Sequence, residues 1–260
     1  MSSLPSIVLV HGAWHTPPNY RSYVDALQKQ GFEVHCPRLP TCSGVSPPTA
    51  SLPEDIAYVR EIIKSLVNNG QRVLMIFHSY GGAVGGSAVE GLSIAERKAA
   101  GKPGGVIHLL NLCGYLLRAN TSVFDVIREA GYQDLVEDYM PTAPDGLCSV
   151  TDPATGFFSG RASQEIVDEA LNAVVKFPIQ AFHDVVTGYA WKTIPTTYIR
   201  TLQDGGVPTV YQDIMLGKAQ EDGISLKVKT FDADHSLFIT EQEEMVKAAV
   251  DAANDERNIL

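Results

Sequence analysis

Residues 73–82, which read Val-Leu-Met-Ile-Phe-His-Ser-Tyr-Gly-Gly, constrain the fold of this chain more than any other segment. A continuous apolar run of this length is typical of a strand buried on both faces of a parallel sheet. The run breaks at Ser79, and the glycines behind it favour a sharp turn directly into a helix. Such a turn exposes the serine hydroxyl at the carboxyl edge of the sheet, beside the positive end of the helix dipole. The segment therefore predicts a nucleophile elbow with Ser79 as a covalent nucleophile.

The elbow departs from the usual G-x-S-x-G pattern, because Phe77 occupies the position of the first glycine. Side chains at that position are normally small, so some local rearrangement is expected around Phe77. The pentapeptide alone is equally compatible with an ordinary strand-to-helix turn that happens to contain a serine. The choice between these interpretations depends on the rest of the chain.

Strands and helices alternate along most of the chain, which predicts an α/β fold with a mostly parallel, doubly wound sheet. The predicted strands are 7–10, 32–36, 73–77, 106–112, 196–200 and 226–231. The main predicted helices are 20–30, 52–68, 81–91 and 241–253. No repeat, low-complexity segment or change in composition divides the 260 residues, so we expect a single domain over 1–260.

Residues 115–192 interrupt this alternation, because they are rich in aromatic residues and helix formers and show no clear strand pattern. We expect this segment to be helical and to precede the strand predicted at 196–200. Its aromatic residues either pack into a small core of their own, or form a lid over the carboxyl edge of the sheet, or do both. As a lid it would create an apolar substrate pocket, with Phe157 and Phe158 among the residues that contact the substrate.

A serine nucleophile needs a base within hydrogen-bond reach and an acid that orients the base. On a nucleophile elbow these partners follow in chain order, first Asp or Glu and then His. His235 comes directly after the last predicted strand and is the candidate base, and Asp204 follows the strand before it and is the candidate acid. The competitors for the acid are Asp232 and Asp234, which are very near His235 in sequence, and Asp213, which is predicted to lie on the following helix. A turn-capping role is the structural alternative for Asp204.

Two backbone N–H groups are predicted to hold the oxyanion of a tetrahedral intermediate. One belongs to Tyr80, directly after the nucleophile. The other belongs to Ala13, in the loop after the first predicted strand, where Gly12 frees the backbone. Trp14 of the same loop is expected to line the substrate pocket.

Several classes of function lack the residues that they require. His11 and His15 are four residues apart, but a glycine-containing loop gives them no shared helical face, so no metal site is predicted. Neither G-x-G-x-x-G nor a P-loop is present, so no cofactor is predicted. A net charge of −10 makes nucleic acid or an anionic membrane an improbable partner.

The location and partners of the protein are also constrained. The first residues lack the basic character of a signal peptide, and no apolar stretch approaches the ~20 residues that span a bilayer. The four cysteines are scattered, without zinc-site or disulfide-framework spacing. We therefore expect a cytoplasmic monomer or homodimer that acts on a small molecule.

Taken together, these motifs resemble the α/β-hydrolase superfamily over nearly the whole chain. Residues 7–15 (Ile-Val-Leu-Val-His-Gly-Ala-Trp-His), Gln203-Asp204 and Asp234-His235 are similar to the branch of plant methylesterases and hydroxynitrile lyases. The segments Phe157-Phe158 and 194–198 look more like uncharacterised fungal members. The resemblance implies an α/β-hydrolase fold whose lid, residues 115–192, is inserted before the strand that precedes the catalytic acid.

Two departures from that branch bear on the reaction. Its hydroxynitrile lyases are associated with a threonine where this chain has His11, and with a lysine directly after the catalytic histidine, where this chain has Ser236. Without that lysine nothing obvious stabilises a departing cyanide, so the resemblance favours an esterase. The leading hypothesis is a serine hydrolase that cleaves a small, largely apolar ester or lactone through an acyl-enzyme. The alternatives are base-catalysed C–C cleavage or cyclisation in a natural-product pathway, and a small-molecule receptor with a vestigial triad.

Overall fold

A six-stranded sheet with all strands parallel runs through the centre of the protein in the computed structural model, which describes residues 4–255. Its strands are β1 (Ser6–Val10), β2 (Val34–His35), β3 (Arg72–His78), β4 (Gly105–Leu112), β7 (Thr196–Thr201) and β8 (Lys227–Phe231). They lie in the order β2-β1-β3-β4-β7-β8. All six strands match predicted ones, although β2 is shorter than the predicted 32–36. The apolar runs at β1, β3 and β4 are buried along almost their whole length, as expected for strands covered on both faces.

Helices cover both faces of this sheet. Outside residues 115–192 they are α1 (Arg21–Lys29), α2 (Leu52–Asn68), α3 (Gly81–Ala88), α4 (Ile94–Ala99), α10 (Thr209–Glu221), α11 (Leu237–Thr240) and α12 (Gln242–Ala253). Alternate residues of β1 separate the two faces: Ile7 packs with α1 and α12, whereas Val8 packs with α2 and α3. The doubly wound architecture is thereby confirmed. No helix between residues 4 and 255 is both long and apolar enough to cross a lipid bilayer.

The segment predicted as a helical lid contains both helices and strands. Its helices are α5 (Val123–Glu129), α6 (Val136–Tyr139), α7 (Pro153–Phe158), α8 (Gln164–Leu171) and α9 (Gln180–His183). It also contains β5 (Leu147–Cys148) and β6 (Phe177–Pro178), which form a two-stranded antiparallel sheet. The segment is mainly helical, as expected, and this short sheet is the part that the sequence did not indicate. Strands of two residues are too short to show the alternation that identifies a strand in a sequence.

The loop after β1 holds this segment against the sheet. The Trp14 indole N–H donates to the carbonyl of Cys148 over 3.2 Å, and the Trp14 carbonyl accepts from the N–H of Val175 over 2.8 Å. The first bond reaches β5, and the second reaches the chain between α8 and β6. The segment is thus joined by hydrogen bonds to the loop that carries the predicted oxyanion donor.

Phe77 fits at the elbow because a glycine on the following helix makes room for its ring. The strand is not displaced at this point: Phe77 pairs in register with Val10 on one side and Asn111 on the other. A Cβ added to Gly85 would lie 2.0 Å from Cε1 of the Phe77 ring, far inside contact distance. The backbone therefore stays regular at Phe77. The adjustment that was expected there is found at Gly85, where the lack of a side chain leaves room for the ring.

This pairing predicts a strong coupling between the two positions. Gly85→Ala is expected to destabilise the protein by about 3 kcal/mol, because the methyl group overpacks the core against the Phe77 ring. In a protein of this size that corresponds to a fall of about 6–12 °C in Tm. Phe77→Ala removes the obstructing ring, so the double variant should be more stable than the sum of the single effects by at least ~1 kcal/mol. Thermal unfolding of the four proteins measures the coupling, and strict additivity would contradict the packing described.

Candidate active site

Ser79 lies on a tight turn at the carboxyl edge of the central sheet. Its φ of +54° is in the left-handed region, which costs a residue other than glycine about 1–3 kcal/mol. Neighbouring backbone compensates: the Ser79 N–H donates to Leu112 O over 3.3 Å, and its carbonyl accepts from Tyr115 N–H over 2.9 Å. Helix α3 starts directly behind it and packs so closely on β1 that a Cβ at Gly81 would lie 2.2 Å from the carbonyl of Val10. The segment thus adopts the strand–turn–helix geometry of a nucleophile elbow.

His235 and Asp204 are in direct contact at the same edge. Asp204 Oδ1 lies 2.8 Å from His235 Nδ1, and both side chains are buried. The same oxygen accepts from the N–H groups of Gly206 and Val207 over 2.9 and 2.6 Å, and Oδ2 accepts from the Thr201 hydroxyl over 2.7 Å. These bonds fix the carboxylate toward Nδ1, so Nδ1 carries the ring proton and Nε2 is left to accept one.

The competing carboxylates are engaged elsewhere. Asp213 pairs with Arg200 at 2.8 Å, and Asp232 pairs with Arg161 at 3.4 Å. Asp234 is buried, with Oδ1 accepting from a threonine hydroxyl over 3.0 Å and Oδ2 without a partner among the described residues. Burial raises the pKa of Asp234 to about 6. Within residues 4–255, none of these three forms an ion pair with the imidazole of the candidate base.

A chain of hydrogen bonds links the three loops that meet around Ser79. The Gly12 N–H donates to the Tyr20 hydroxyl over 3.0 Å, and that hydroxyl lies 2.6 Å from Nδ1 of His78. Nε2 of His78 lies 2.9 Å from the carbonyl of His235, which can only accept, so Nε2 carries the proton and Nδ1 accepts from the hydroxyl of Tyr20. Burial holds the pKa of His78 well below its usual range, which keeps this ring neutral. The loop after β1 that carries Ala13 (the oxyanion loop), the elbow at Ser79 and the loop after β8 that carries His235 (the histidine loop) are therefore fixed relative to one another.

Sequence reasoning did not identify Tyr20 and His78 as parts of the site. For His78 a signal existed, because it directly precedes the candidate nucleophile. For Tyr20 there was none, since it was simply an apolar position at the start of a predicted helix. The two ring nitrogens of His78 connect Tyr20 with the carbonyl of His235. The Ser79 hydroxyl itself makes no direct hydrogen bond to His235 in the described part of the chain. Catalytic hydrogen bonds of this kind often tighten only in the complex with substrate.

The backbone N–H groups of Ala13 and Tyr80 are available as donors, since neither has an acceptor among residues 4–255. His11 Nδ1 lies 2.9 Å from the Gly12 carbonyl, and His15 Nδ1 lies 2.8 Å from the Ala13 carbonyl. In a trans peptide the C=O and N–H groups point in opposite directions. Fixing the Gly12 carbonyl therefore also fixes the direction of the Ala13 N–H. Burial lowers the pKa of His11 to about 4 and that of His15 to about 3, so both rings are neutral at physiological pH.

A largely apolar cavity of about 410 Å³ opens beside Ser79. Its walls come from the loop after β1, the elbow, the 115–192 segment, the loop after β7 and the start of α10. The lining residues are Trp14, Ser79, Tyr115, Ile127, Tyr132, Leu135, Val136, Asp138, Tyr139, Met140, Phe182, Gly205, Gly206, Pro208 and Tyr211. A cavity of this size and character suits a small organic molecule.

Trp14 lines this cavity, as the sequence predicted, but Phe157 and Phe158 do not. Both are almost completely buried. The ring of Phe157 stacks against the imidazole of His235 at a centroid distance of 5.8 Å, and its carbonyl accepts from the N–H of Ser236 over 3.0 Å. The expectation that these two phenylalanines contact substrate is thus corrected: Phe157 supports the histidine loop, and Phe158 is a core residue.

One cluster has the composition of a metal site, although its ligand atoms are already engaged. Single ligand atoms of His78, Cys113 and His235 lie within 4.8 Å of one another. Both nitrogens of His78 are used in the chain of hydrogen bonds described above, and Nδ1 of His235 faces Asp204. A cation could bind here only by breaking these bonds, so the arrangement favours acid–base chemistry over metal binding.

Gly206 controls the position of the His235 ring and provides a direct test of the geometry. A Cβ at this position would lie 2.8 Å from Cδ2 and 2.9 Å from Nε2 of His235, so Gly206→Ala must displace the imidazole. Displacements of ~1 Å at a reacting group cost about 10²-fold in rate, and we expect a loss of that order in kcat/KM for an ester. Gly217→Ala is the control, because its Cβ would meet nothing within 4 Å. Equal activity of the two variants would contradict the ring position described.

Comparisons with known proteins place this geometry in a wider context. The model of the alpha/beta hydrolase family matches residues 7–248. The "Alpha/beta hydrolase nvfD" of Aspergillus novofumigatus is 25% identical over 251 residues, which make up 96% of this chain and 97% of that protein.

Two solved structures show the same fold. A pyrethroid hydrolase from Sphingobium faniae JZ-2 aligns with a TM-score of 0.74 at 20% identity, over 97% of this chain and 98% of that chain. The methylesterase MES16 from Arabidopsis aligns with a TM-score of 0.69 at 19% identity, over 96% of this chain and 98% of that chain. The resemblance to plant methylesterases and to fungal relatives is confirmed.

Proposed function

This chain belongs to the alpha/beta hydrolase family, and from that premise we propose that it is a serine hydrolase that cleaves a small, largely apolar carboxylic ester or lactone. The contact between Asp204 Oδ1 and His235 Nδ1 at 2.8 Å carries the proposal, because it prepares Nε2 to accept a proton at the edge where Ser79 lies. The apolar cavity beside Ser79 supports the substrate class. So does the likeness to a methylesterase, by analogy.

In the proposed reaction Ser79 Oγ forms a bond to the carbonyl carbon of the substrate while His235 Nε2 takes the hydroxyl proton. The carbonyl oxygen becomes an oxyanion, which accepts from the N–H groups of Ala13 and Tyr80. The C–O bond to the alcohol then breaks, and the alcohol leaves with the proton from Nε2. Water, deprotonated by the same nitrogen, attacks the acyl-enzyme and releases the carboxylic acid together with Ser79 in its original state. Asp204 orients the imidazole throughout.

The test combines labelling with detection of the intermediate. A fluorophosphonate should label Ser79, and peptide mass spectrometry identifies the labelled residue. An ester that the protein hydrolyses should slow the labelling when it is added before the fluorophosphonate. During turnover of a slow ester, intact-protein mass spectrometry should show an acyl adduct that disappears when the substrate is exhausted. Labelling without any adduct would favour the use of the Ser79–His235 pair as a base for C–C cleavage or cyclisation. Tight ligand binding with neither labelling nor turnover would favour a receptor.

A further inference from the structure

Asp55, on helix α2, is a fully buried carboxylate without a cation beside it. No lysine, arginine or histidine within residues 4–255 forms an ion pair with it. Burial raises the pKa of Asp55 to about 6, so the group is still mainly ionised at pH 7 and only accepts hydrogen bonds. An unpaired charge is costly to bury, so these hydrogen bonds must compensate for the lost water.

The hydrogen bonds of Asp55 join Tyr80 to residues 39–41, which lie between β2 and α2. Oδ1 of Asp55 accepts from the Thr41 N–H over 3.0 Å, and Oδ2 accepts from the Thr41 hydroxyl over 2.7 Å. Oδ2 also accepts from the Tyr80 hydroxyl over 3.0 Å. The carboxylate therefore holds the far end of the Tyr80 side chain on this short segment.

Tyr80 supplies the side chain that anchors the turn behind the nucleophile, because the two residues after it, Gly81 and Gly82, have none. The left-handed φ of Ser79 is strained, and such a conformation persists only where the surroundings enforce it. Neither Tyr80 nor Asp55 lines the cavity. Their contact can therefore act on a reaction at Ser79 only through the position of Tyr80, whose backbone N–H is a predicted oxyanion donor.

Residues 39–41 also fix the other predicted donor. The Leu39 N–H donates to His11 Nε2 over 3.0 Å, so the proton of this neutral ring lies on Nδ1, which donates to the Gly12 carbonyl over 2.9 Å. The direction of that carbonyl sets the direction of the Ala13 N–H. Both donors are thus connected to one short segment, one of them through an imidazole and the other through a carboxylate.

We propose that Asp55 is a positioning residue for the two oxyanion donors, because it holds Tyr80 on the same segment that holds His11 and thereby fixes the two N–H groups relative to each other. This inference rests on the proposed function, since the oxyanion forms only when Ser79 attacks a carbonyl. Before the attack the carbonyl oxygen carries no full charge, so loss of the contact should hardly weaken binding of the ester. It should slow the step in which the charge forms, so kcat should fall while KM stays nearly constant.

The experiment compares ester hydrolysis by Tyr80→Phe with that by the matched control Tyr23→Phe. Both tyrosines are fully buried, and each hydroxyl donates one hydrogen bond, that of Tyr23 to the Met245 carbonyl over 3.1 Å. Tyr23 packs on the other face of the sheet, with α1 and α12. Tyr80→Phe should lower kcat about 10- to 100-fold, less than the complete loss of a donor does, and change KM by less than about threefold. Tyr23→Phe should lower Tm by a similar amount but keep kcat within about twofold.

A trifluoromethyl ketone tests whether the oxyanion itself is affected. Ser79 Oγ bonds to the ketone carbon, the hydroxyl proton moves to His235 Nε2, and the ketone oxygen becomes an oxyanion that resembles the one in the reaction. The inhibition constant should therefore rise in Tyr80→Phe by the factor by which kcat/KM falls, and it should not change in Tyr23→Phe. A constant inhibition constant in Tyr80→Phe would overturn the proposal.

Asp55→Ala tests whether the carboxylate acts through Tyr80. Its kcat should fall as well, and adding Tyr80→Phe should have little further effect, because the hydroxyl has already lost its acceptor. Losses that multiply would overturn the proposal, and so would a kcat of Tyr80→Phe no lower than that of Tyr23→Phe. If Asp55→Ala fails to fold, the comparison of Tyr80→Phe with Tyr23→Phe still decides the question. A wild-type protein that neither hydrolyses esters nor binds the ketone would overturn the proposed function, and this inference with it.

Discussion

Ser79→Ala is expected to lower kcat for ester hydrolysis by about 10⁵–10⁶-fold, as loss of the nucleophile does in serine hydrolases that act through a triad. Without Oγ no acyl-enzyme can form, and the His235–Asp204 pair has no hydroxyl to activate. The remaining rate should reflect only substrate binding and the oxyanion donors, which still accelerate attack by water. Stopped assays with p-nitrophenyl esters of increasing acyl length measure the change.

The control for this variant is Ser236→Ala, which removes a serine hydroxyl from the residue directly after His235. That hydroxyl is buried and has no hydrogen-bond partner in the part of the chain described, so its removal should leave both kcat and Tm nearly unchanged. A Ser79→Ala protein that kept its turnover, with contaminating esterase excluded by fluorophosphonate labelling, would rule out covalent catalysis at this residue.

Asp204→Asn should lower kcat by about 10⁴-fold while leaving the fold intact. An asparagine that keeps the bonds from Gly206 and Val207 has its amide oxygen at the position of Oδ1, so Nδ1 keeps an acceptor but loses the negative charge beside it. The imidazolium that forms when His235 takes the proton of the nucleophile is then no longer stabilised by an anion. The loss should appear in kcat much more than in KM, because substrate does not contact the carboxylate.

Asp234→Asn is the matched comparison, since Asp234 is the residue next to His235 and is also buried. Its carboxylate accepts from a threonine hydroxyl, and burial already raises its pKa to about 6. A neutral amide therefore replaces a group that gains little from ionisation, and activity should stay within about threefold of the wild type. Equal losses in the two variants would contradict the assignment of the orienting role to the carboxylate that contacts Nδ1.

The sequence was informative wherever a local pattern reports the burial of its own segment. Apolar runs of four to eight residues are enough to mark strands covered on both faces, and the central strands β1, β3 and β4 were identified for that reason. In a parallel sheet the carboxyl ends of the strands lie at one edge. Ser79, Asp204 and His235 each follow a strand, so their common location could be inferred without knowledge of any contact between them.

Contacts between distant segments could not be inferred in this way. The sequence left Asp213, Asp232 and Asp234 as competitors for the acid, because distance along the chain does not determine which carboxylate reaches an imidazole. It also assigned the substrate contacts to Phe157 and Phe158, since aromatic residues in a lid are reasonable candidates. The fold instead buries them, and it places Tyr139 on the cavity wall.

By itself, then, the sequence determined the α/β architecture, the elbow and the edge at which the polar residues gather, because periodicity and turn chemistry are local properties of the chain. The tertiary structure alone decided that Asp204 contacts His235, that Gly85 accommodates the ring of Phe77, and that Tyr20 and His78 join the loops. Each of these contacts joins side chains whose approach depends on how whole elements pack. That packing is set by the shapes of many residues at once, and no short pattern in the chain records it.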